Sequence, residues 1–164
     1  MQIGVLGLGR MGGNITRRLI QNGHEAVVYD HDANAVAVMS RDIGAKGLDA
    51  LVDELRAPRA IWIMLPAGKI TEDTIVQLGR LLAPDEIIIE GGNTFWKDDI
   101  RRAKMLKGRS IHYVDVGTSG GVWDPPARYP RTINQLGRIC FPENRLGKHM
   151  GNMARALGSV EGRT

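Results

Sequence analysis

The chain has 164 residues, of which 43% are hydrophobic and 24% charged, a composition that excludes a disordered tail protein and is ordinary for a soluble globular one. Its net charge of +4 lies entirely in residues 122–164, because residues 1–121 hold 15 basic and 15 acidic groups. No apolar run approaches the roughly 18 residues of a membrane span, no basic signal-peptide segment precedes the first apolar run, and the single Cys140 excludes an internal disulfide. We therefore expect a cytoplasmic protein that binds neither membranes nor nucleic acid.

Short apolar or β-branched runs alternate with helical patterns through residues 1–121. The predicted strands span residues 3–7, 25–30, 60–65, 86–90 and 111–116. The predicted helices span residues 10–22, 33–41, 49–55, 70–82 and 95–107. Strands that alternate with helices in this way indicate βαβ units. The sequence therefore predicts an α/β fold, a Rossmann-type doubly wound parallel sheet.

In the last predicted helix, a run of basic residues follows Asp98 and Asp99 in the sequence. The basic residues are Arg101, Arg102, Lys104 and Lys107. Opposite charges three or four residues apart pair along a helix surface. This pattern favours a solvated, ion-paired helix face over a surface for nucleic acid.

The composition changes near Trp123. Residues 124–164 contain four of the seven prolines, and they hold seven basic groups against three acidic ones. Such a change is typical of a boundary. We predict a Rossmann-type domain over residues 1–123 and an irregular basic C-terminal tail over residues 124–164, in which only residues 145–158 have a helical pattern.

A G-x-G-x-x-G motif directly follows the first predicted strand and begins the first predicted helix. Its residues are Gly7, Leu8, Gly9, Arg10, Met11 and Gly12. In this motif the first glycine permits a tight turn, the second lets the backbone approach a pyrophosphate, and the third allows close packing of helix on strand. The first amides of the helix then hold the diphosphate at its positive end. The alternative is a glycine-rich turn in an unrelated α/β protein.

An acidic residue, Asp30, ends the second predicted strand 23 residues after Gly7, near the roughly 20-residue spacing of a ribose ligand. Its carboxylate would accept hydrogen bonds from the adenosine ribose hydroxyls and would repel a 2′-phosphate. His31 beside it is a poor phosphate ligand compared with arginine. These residues predict NAD as the cofactor rather than NADP, the alternative for Asp30 being a solvated strand end.

Together with the glycine motif, three later segments resemble the 6-phosphogluconate dehydrogenases of the β-hydroxyacid dehydrogenase superfamily, in their shorter NAD-preferring branch. They are Leu-Pro-Ala-Gly at 65–68, Ile-Ile-Glu-Gly-Gly-Asn-Thr at 88–94 and Gly-Thr-Ser-Gly-Gly-Val-Trp at 117–123. The resemblance implies that Leu65, Pro66 and Ala67 line the cofactor and that Asn93 touches both nicotinamide and substrate. It also implies that Ser119, Gly120 and Gly121 bind the substrate near its carboxylate. On spacing alone, the two glycine pairs are equally well explained as turns after strands.

The activity that the resemblance implies is the oxidative decarboxylation of 6-phosphogluconate to ribulose 5-phosphate, a step of the pentose phosphate pathway, by a homo-oligomer. The family's base and acid, a lysine in a Lys-x-x-His-Asn-Gly context and a glutamate after it, are not found before Thr164, so the catalytic residues are unidentified. Lys148, the nearest match, is interpreted as a solvated basic residue. No spacing of histidine, cysteine or acidic residues predicts a metal site.

The sequence departs from the family's pattern at Asp124, which suggests a truncated or frameshifted product. Two other functions remain open at this point. One is a non-catalytic NAD-binding module or truncated pseudoenzyme; a separate possibility is that the chain is an unstable fragment. The other is a dehydrogenase of a different small 3-hydroxyacid.

Overall fold

The structure is a computed structural model that describes residues 1–39 and 43–116. Strands and helices alternate along these ranges. In chain order they are β1 (Gln2–Leu6), α1 (Arg10–Gln21), β2 (Glu25–Tyr29), α2 (Ala33–Met39), α3 (Leu48–Glu54), β3 (Ala60–Ile63), α4 (Lys69–Leu81), β4 (Ile87–Glu90), α5 (Trp96–Lys107) and β5 (His112–Asp115). Each strand and helix predicted in residues 1–116 is therefore confirmed, with ends shifted by no more than a few residues. The predicted boundary near Trp123 and the predicted helix 145–158 lie outside the described residues.

The strands form one parallel sheet in the order β2-β1-β3-β4-β5. A short segment continues it beyond β2, where the Val28 amide donates to the Ile43 carbonyl at 2.7 Å and the Ala45 amide donates to the Val28 carbonyl at 2.8 Å. Counted as a rudimentary edge strand, this segment gives the order 3-2-1-4-5-6 of dinucleotide-binding sheets. The predicted doubly wound α/β fold is confirmed.

Helices cover both faces of the sheet, so the strands are buried on both sides. On one face, Ile15 and Leu19 of α1 pack in a cluster with strand residues such as Val5 and Ile89. On the other face, helices α3, α4 and α5 contribute Leu51, Ile75, Leu78 and Leu106 to a second cluster. Burial on two faces explains why the strands read as continuous apolar runs in the sequence.

One expectation about α5 is wrong. Arg102 is not on a solvated face, since only 2% of its side chain is exposed, and Asp99 is buried beside it. An arginine can be buried when its charge is matched, and here Asp99 and Glu72 of α4 both accept from its guanidinium. Arg101 does behave as predicted, with a half-exposed side chain that pairs with Asp98 three residues earlier.

Among the helices in the described ranges, none has both the length and the apolar character needed to cross a bilayer.

Candidate functional site

The glycine motif forms the turn from β1 into α1. Gly7 has a φ of +85°, and its amide donates to the Tyr29 carbonyl of β2 at 3.0 Å. A Cβ on Gly7 would overlap the Met64 carbonyl oxygen, and a Cβ on Gly12 would overlap the Gly7 carbonyl oxygen. A Cβ on Gly9 would meet no other described residue within 4 Å. The first and third glycines are therefore required by packing, whereas the second faces open space.

The positive end of α1 points out of the same turn. Gly9 is its N-cap and carries no side chain, and the first turn of the helix contains no acidic residue. An unneutralised helix N-terminus attracts anions. The open face of Gly9 and this helix end together fit the diphosphate of a dinucleotide.

The other predicted residues of the motif differ in how far their side chains are exposed at the turn. The Leu8 side chain is buried in the core cluster beneath the turn, so only its backbone faces the site. Arg10 is exposed at the start of α1, and Met11 is half-buried.

Asp30 follows β2 and ties the glycine turn to it. Its carboxylate accepts from the Leu8 amide at 2.6 Å and from the Asp32 amide at 2.9 Å. The His31 Nδ1 lies 2.9 Å from the same carboxylate, while 95% of the His31 side chain is exposed. A carboxylate offers about four acceptor positions. Asp30 can thus accept from ribose hydroxyls while it anchors the turn, a second role that the sequence did not predict.

The residues predicted after β3 and β4 reach the same edge of the sheet. A Cβ built on Gly7 would lie 3.1 Å from the Leu65 side chain, and one built on Gly92 would lie 2.7 Å from the Leu65 carbonyl oxygen. Pro66, Ala67 and Asn93 are exposed there. The turns after β1, β3 and β4 are therefore neighbours, as expected where parallel strands end at a topological switch point.

Ser119, Gly120 and Gly121 lie outside the described residues. Their role at the substrate stays a prediction.

Sequence reasoning missed a buried polar network beneath Asn93. The carboxylate of Glu90 accepts from the Gly92 amide at 2.7 Å and lies 2.6 Å from the Thr94 hydroxyl, which is itself 2.8 Å from Asp99. Arg102 and Tyr113 both donate to the other oxygen of Asp99, at 2.9 and 2.8 Å. A sequence signal for part of this network does exist: Asp99, Arg102 and Leu106 follow helical spacing and are the buried residues of α5.

The acidic groups of this network differ in how their surroundings shift their pKa values. Burial raises the pKa of Glu90, and Asp99 and Asp115 raise it further. On the exposed side, hydrogen bonds from Arg101 lower the pKa of Glu72 to about 2. Glu90, Asp99 and Asp115 bring carboxylate oxygens within 4.8 Å of one another. Of these three carboxylates, Asp99 is the one that pairs with the Arg102 guanidinium, at 2.9 Å.

Comparison with known proteins agrees with this geometry. A relative from Haloferax volcanii, an NAD(+)-dependent, decarboxylating 6-phosphogluconate dehydrogenase, is 42% identical over 124 residues, which are 74% of this chain and 40% of that protein. An NADP(+)-dependent, decarboxylating 6-phosphogluconate dehydrogenase of Bacillus subtilis is 36% identical over 126 residues, 73% of this chain and 27% of that protein. The chain thus spans less than half the length of these curated relatives.

Solved structures agree on the fold. The 6-phosphogluconate dehydrogenase of Plasmodium falciparum matches with a TM-score of 0.69 and 26% identity, over 78% of this chain and 28% of that one. The 3-hydroxyisobutyrate dehydrogenase of Mycobacterium tuberculosis matches with a TM-score of 0.67 and 21% identity, over 74% of this chain and 41% of that one.

A family model places these similarities in one group. The model, described as the NAD binding domain of 6-phosphogluconate dehydrogenase, matches residues 2–127 and therefore most of the chain. Its match includes the glycine turn, Asp30 and the turns after β3 and β4. The chain therefore belongs to this family of NAD-binding oxidoreductase domains.

Proposed function

We propose that this chain supplies the cofactor-binding part of an NAD-dependent, decarboxylating 6-phosphogluconate dehydrogenase. The observation that carries the proposal is the turn after β1, whose open Gly9 and unneutralised helix end lie beside the Asp30 carboxylate. A diphosphate fits at the first two groups and an adenosine ribose at the third. The similarity to the enzyme of Haloferax volcanii supports both the cofactor and the reaction.

NAD, when bound, supplies a nicotinamide ring that accepts a hydride from the sugar acid. The chain's own residues bind the cofactor and orient it toward the substrate. The glycine turn and α1 hold the diphosphate, Asp30 holds the ribose, and Pro66 and Ala67 border the cofactor. Asn93, exposed at the end of β4, contacts nicotinamide and substrate, and Ser119, Gly120 and Gly121 bind the substrate carboxylate through hydroxyl and amide donors.

The identity of the substrate is tested by adding sugar acids to the chain at saturating NADH. We expect 6-phosphogluconate to change the tryptophan fluorescence saturably and to raise the Tm, because a ligand that binds only the folded state stabilises it. Hydroxyisobutyrate at equal concentration serves as the matched control. A response to hydroxyisobutyrate alone would contradict the proposed substrate. A response to NADH with none to either acid would support a non-catalytic NAD-binding module instead.

The preference for NAD depends on the carboxylate of Asp30. We expect Asp30→Ala to lower NADH affinity by about tenfold or more, since a hydrogen bond to a charged group is worth about 1.5–3 kcal/mol. NADPH affinity should fall less or rise, because the repulsion of its 2′-phosphate is removed. The measurement is the ratio of the two dissociation constants.

Asp32→Asn is the matched control for this change. Asp32 is exposed two residues away and accepts from the Asn34 amide, an acceptor role that asparagine retains. Because Asp30 also anchors Leu8, both variants are first checked for native circular dichroism, and Asp30→Asn provides a milder substitution. An unchanged ratio in folded Asp30 variants would contradict the role of this residue as the selector.

A further inference from the structure

The loop that presents Asn93 is fastened on both sides to one buried carboxyl group. Glu90 ends β4 and is fully buried. Its Oε1 accepts from the amide of Gly92, just before Asn93, and its Oε2 lies 2.6 Å from the hydroxyl of Thr94, just after it. The exposed Asn93 is thus held by its two neighbours in the chain.

The hydrogens of this network can be counted. The Thr94 hydroxyl carries one hydrogen, yet its oxygen is 2.6 Å from Glu90 Oε2 and 2.8 Å from Asp99 Oδ2. Both contacts are hydrogen bonds only if one of the two carboxyls is protonated. Asp99 is the ionised one, because the Arg102 guanidinium and the Tyr113 hydroxyl both donate to it. The second hydrogen therefore resides on Glu90 Oε2, which donates to Thr94, and Thr94 in turn donates to Asp99.

Burial and the neighbouring carboxylates raise the pKa of Glu90, and they outweigh the hydrogen bonds at Gly92 and Thr94, which lower it. Asp115 lies opposite it in register on β5, and Asp99 faces it from α5. The cation of this network, Arg102, is directed to Asp99 and to Glu72 of α4. Within residues 1–39 and 43–116, Glu90 forms no ion pair, so its ionised form would face two anions there. Burial raises the pKa of Glu90, and it raises the pKa of Tyr113, which stays a hydrogen donor.

We propose that Glu90 is a positioning residue that carries a proton in the folded protein and, through its two oxygens, fixes Gly92 and Thr94 on either side of Asn93. The effect of Glu90 on ligand binding rests on the proposed function, in which Asn93 contacts the nicotinamide and the substrate. Loss of this proton would leave the one hydrogen of the Thr94 hydroxyl to serve two carboxylates, so one of its two contacts would be lost and the loop would be held less tightly on that side.

The test compares Glu90→Gln with Glu90→Asp. Glutamine has the size of the protonated side chain, accepts from Gly92 through its carbonyl and donates to Thr94 through its amide. Aspartate is one methylene shorter and cannot reach both partners. We expect the Gln variant to keep the native NMR positions of the Gly92 and Asn93 amides and the Asp variant to lose them.

The pH dependence of the Tm distinguishes a protonated Glu90 from a residue that only fills space, because a residue that only fills space would not change that dependence. An acid whose pKa is raised by folding contributes stability that is complete below its unfolded pKa of 4.5 and is lost as the pH rises through the folded value. The Gln variant lacks this loss. Its Tm relative to the unaltered chain should therefore increase as the pH rises above 4.5.

Glu86→Gln is the matched control. Glu86 is equally buried at the other end of β4, but it is paired with Arg59 at 2.9 Å and is therefore an anion. Its conversion to glutamine should lower the Tm at neutral pH, so the assay distinguishes a neutral buried glutamate from a charged one. A similar loss of Tm at neutral pH in Glu90→Gln, together with displaced Gly92 and Asn93 amides, would overturn the proposal.

Ligand binding is measured separately on the same variants. We expect NADH affinity to be kept in Glu90→Gln and to fall severalfold in Glu90→Asp. A further outcome is that the unaltered chain binds no NADH although the Glu90 variants give the expected NMR positions and Tm differences. That result would contradict the proposed function but would leave the protonated Glu90 and its hydrogen bonds supported. Equal NADH affinity in the Gln and Asp variants, with the loop displaced only in the latter, would refute the link between Glu90 and the ligand.

Discussion

Replacing Gly12 by alanine is expected to cost about 3 kcal/mol or more of unfolding free energy. The added Cβ would overlap the carbonyl oxygen of Gly7 and press on Met64, so relief requires the backbone of α1 to move away from β1. Helix propensity opposes this loss by only about 1 kcal/mol. Since natural domains are stable by about 5–15 kcal/mol, the change removes a large fraction of the total. Denaturant unfolding followed by circular dichroism measures it.

Gly9→Ala is the matched control in the same turn. Gly9 has a φ of −55°, which alanine adopts readily, and its Cβ would meet no other described residue within 4 Å. Stability should be nearly unchanged. NADH affinity should nevertheless fall by about tenfold or more, because the methyl group occupies the approach of the pyrophosphate, where a charge-assisted hydrogen bond is worth about 1.5–3 kcal/mol. Equal stability of the two variants, or full NADH binding by Gly9→Ala, would contradict this account of the turn.

A second large effect is expected from Arg102→Met. Methionine fills a similar volume but leaves Asp99 buried without a cation. Breaking a buried ion pair from one side typically costs about 3–5 kcal/mol. The Arg102 side chain is only 2% exposed, so water cannot replace it as a partner for Asp99. The free energy of unfolding by denaturant is the measurement.

Arg101→Met provides the comparison at the adjacent position. Arg101 makes two hydrogen bonds to Glu72, at 2.6 and 2.8 Å, but 55% of its side chain is exposed. Exposed ion pairs contribute about 0–1 kcal/mol, so this variant should be far more stable than Arg102→Met. If the two substitutions cost the same, the assignment of Arg102 to a buried, charge-bearing role is wrong.

The alternation of strands and helices was predictable because the sheet is covered on both faces. Its strands had to be continuous apolar runs such as residues 60–63 and 87–89, and its helices had to be amphipathic. The glycine turn was predictable because its spacing follows from a steric requirement at Gly7 and Gly12. The rudimentary edge strand was not, since a parallel bridge at Gly44 involves too few residues to produce a pattern.

The polar network escaped prediction for a different reason. A basic residue beside an acid three positions earlier looks the same in sequence whether the pair is solvated, as for Arg101 and Asp98, or buried, as for Arg102 and Asp99. Only the packing of α5 on β5 and the position of Glu72 on α4 distinguish the two cases. Glu90 was likewise indistinguishable from a solvated strand end, because the carboxylates that surround it come from β5 and α5, far from it in the sequence.

Titration of the folded chain with NADH, and in parallel with NADPH, measures whether the glycine turn after β1 binds a dinucleotide. Trp62 is a suitable reporter, because it lies beneath the turn after β4, where a Cβ on Gly91 would be 2.5 Å from its Nε1. We expect NADH to quench the Trp62 fluorescence saturably, and NADPH to bind more weakly or not at all. In a sample whose circular dichroism shows a folded α/β domain, failure of both nucleotides to bind would contradict the assignment of the glycine turn as a dinucleotide site.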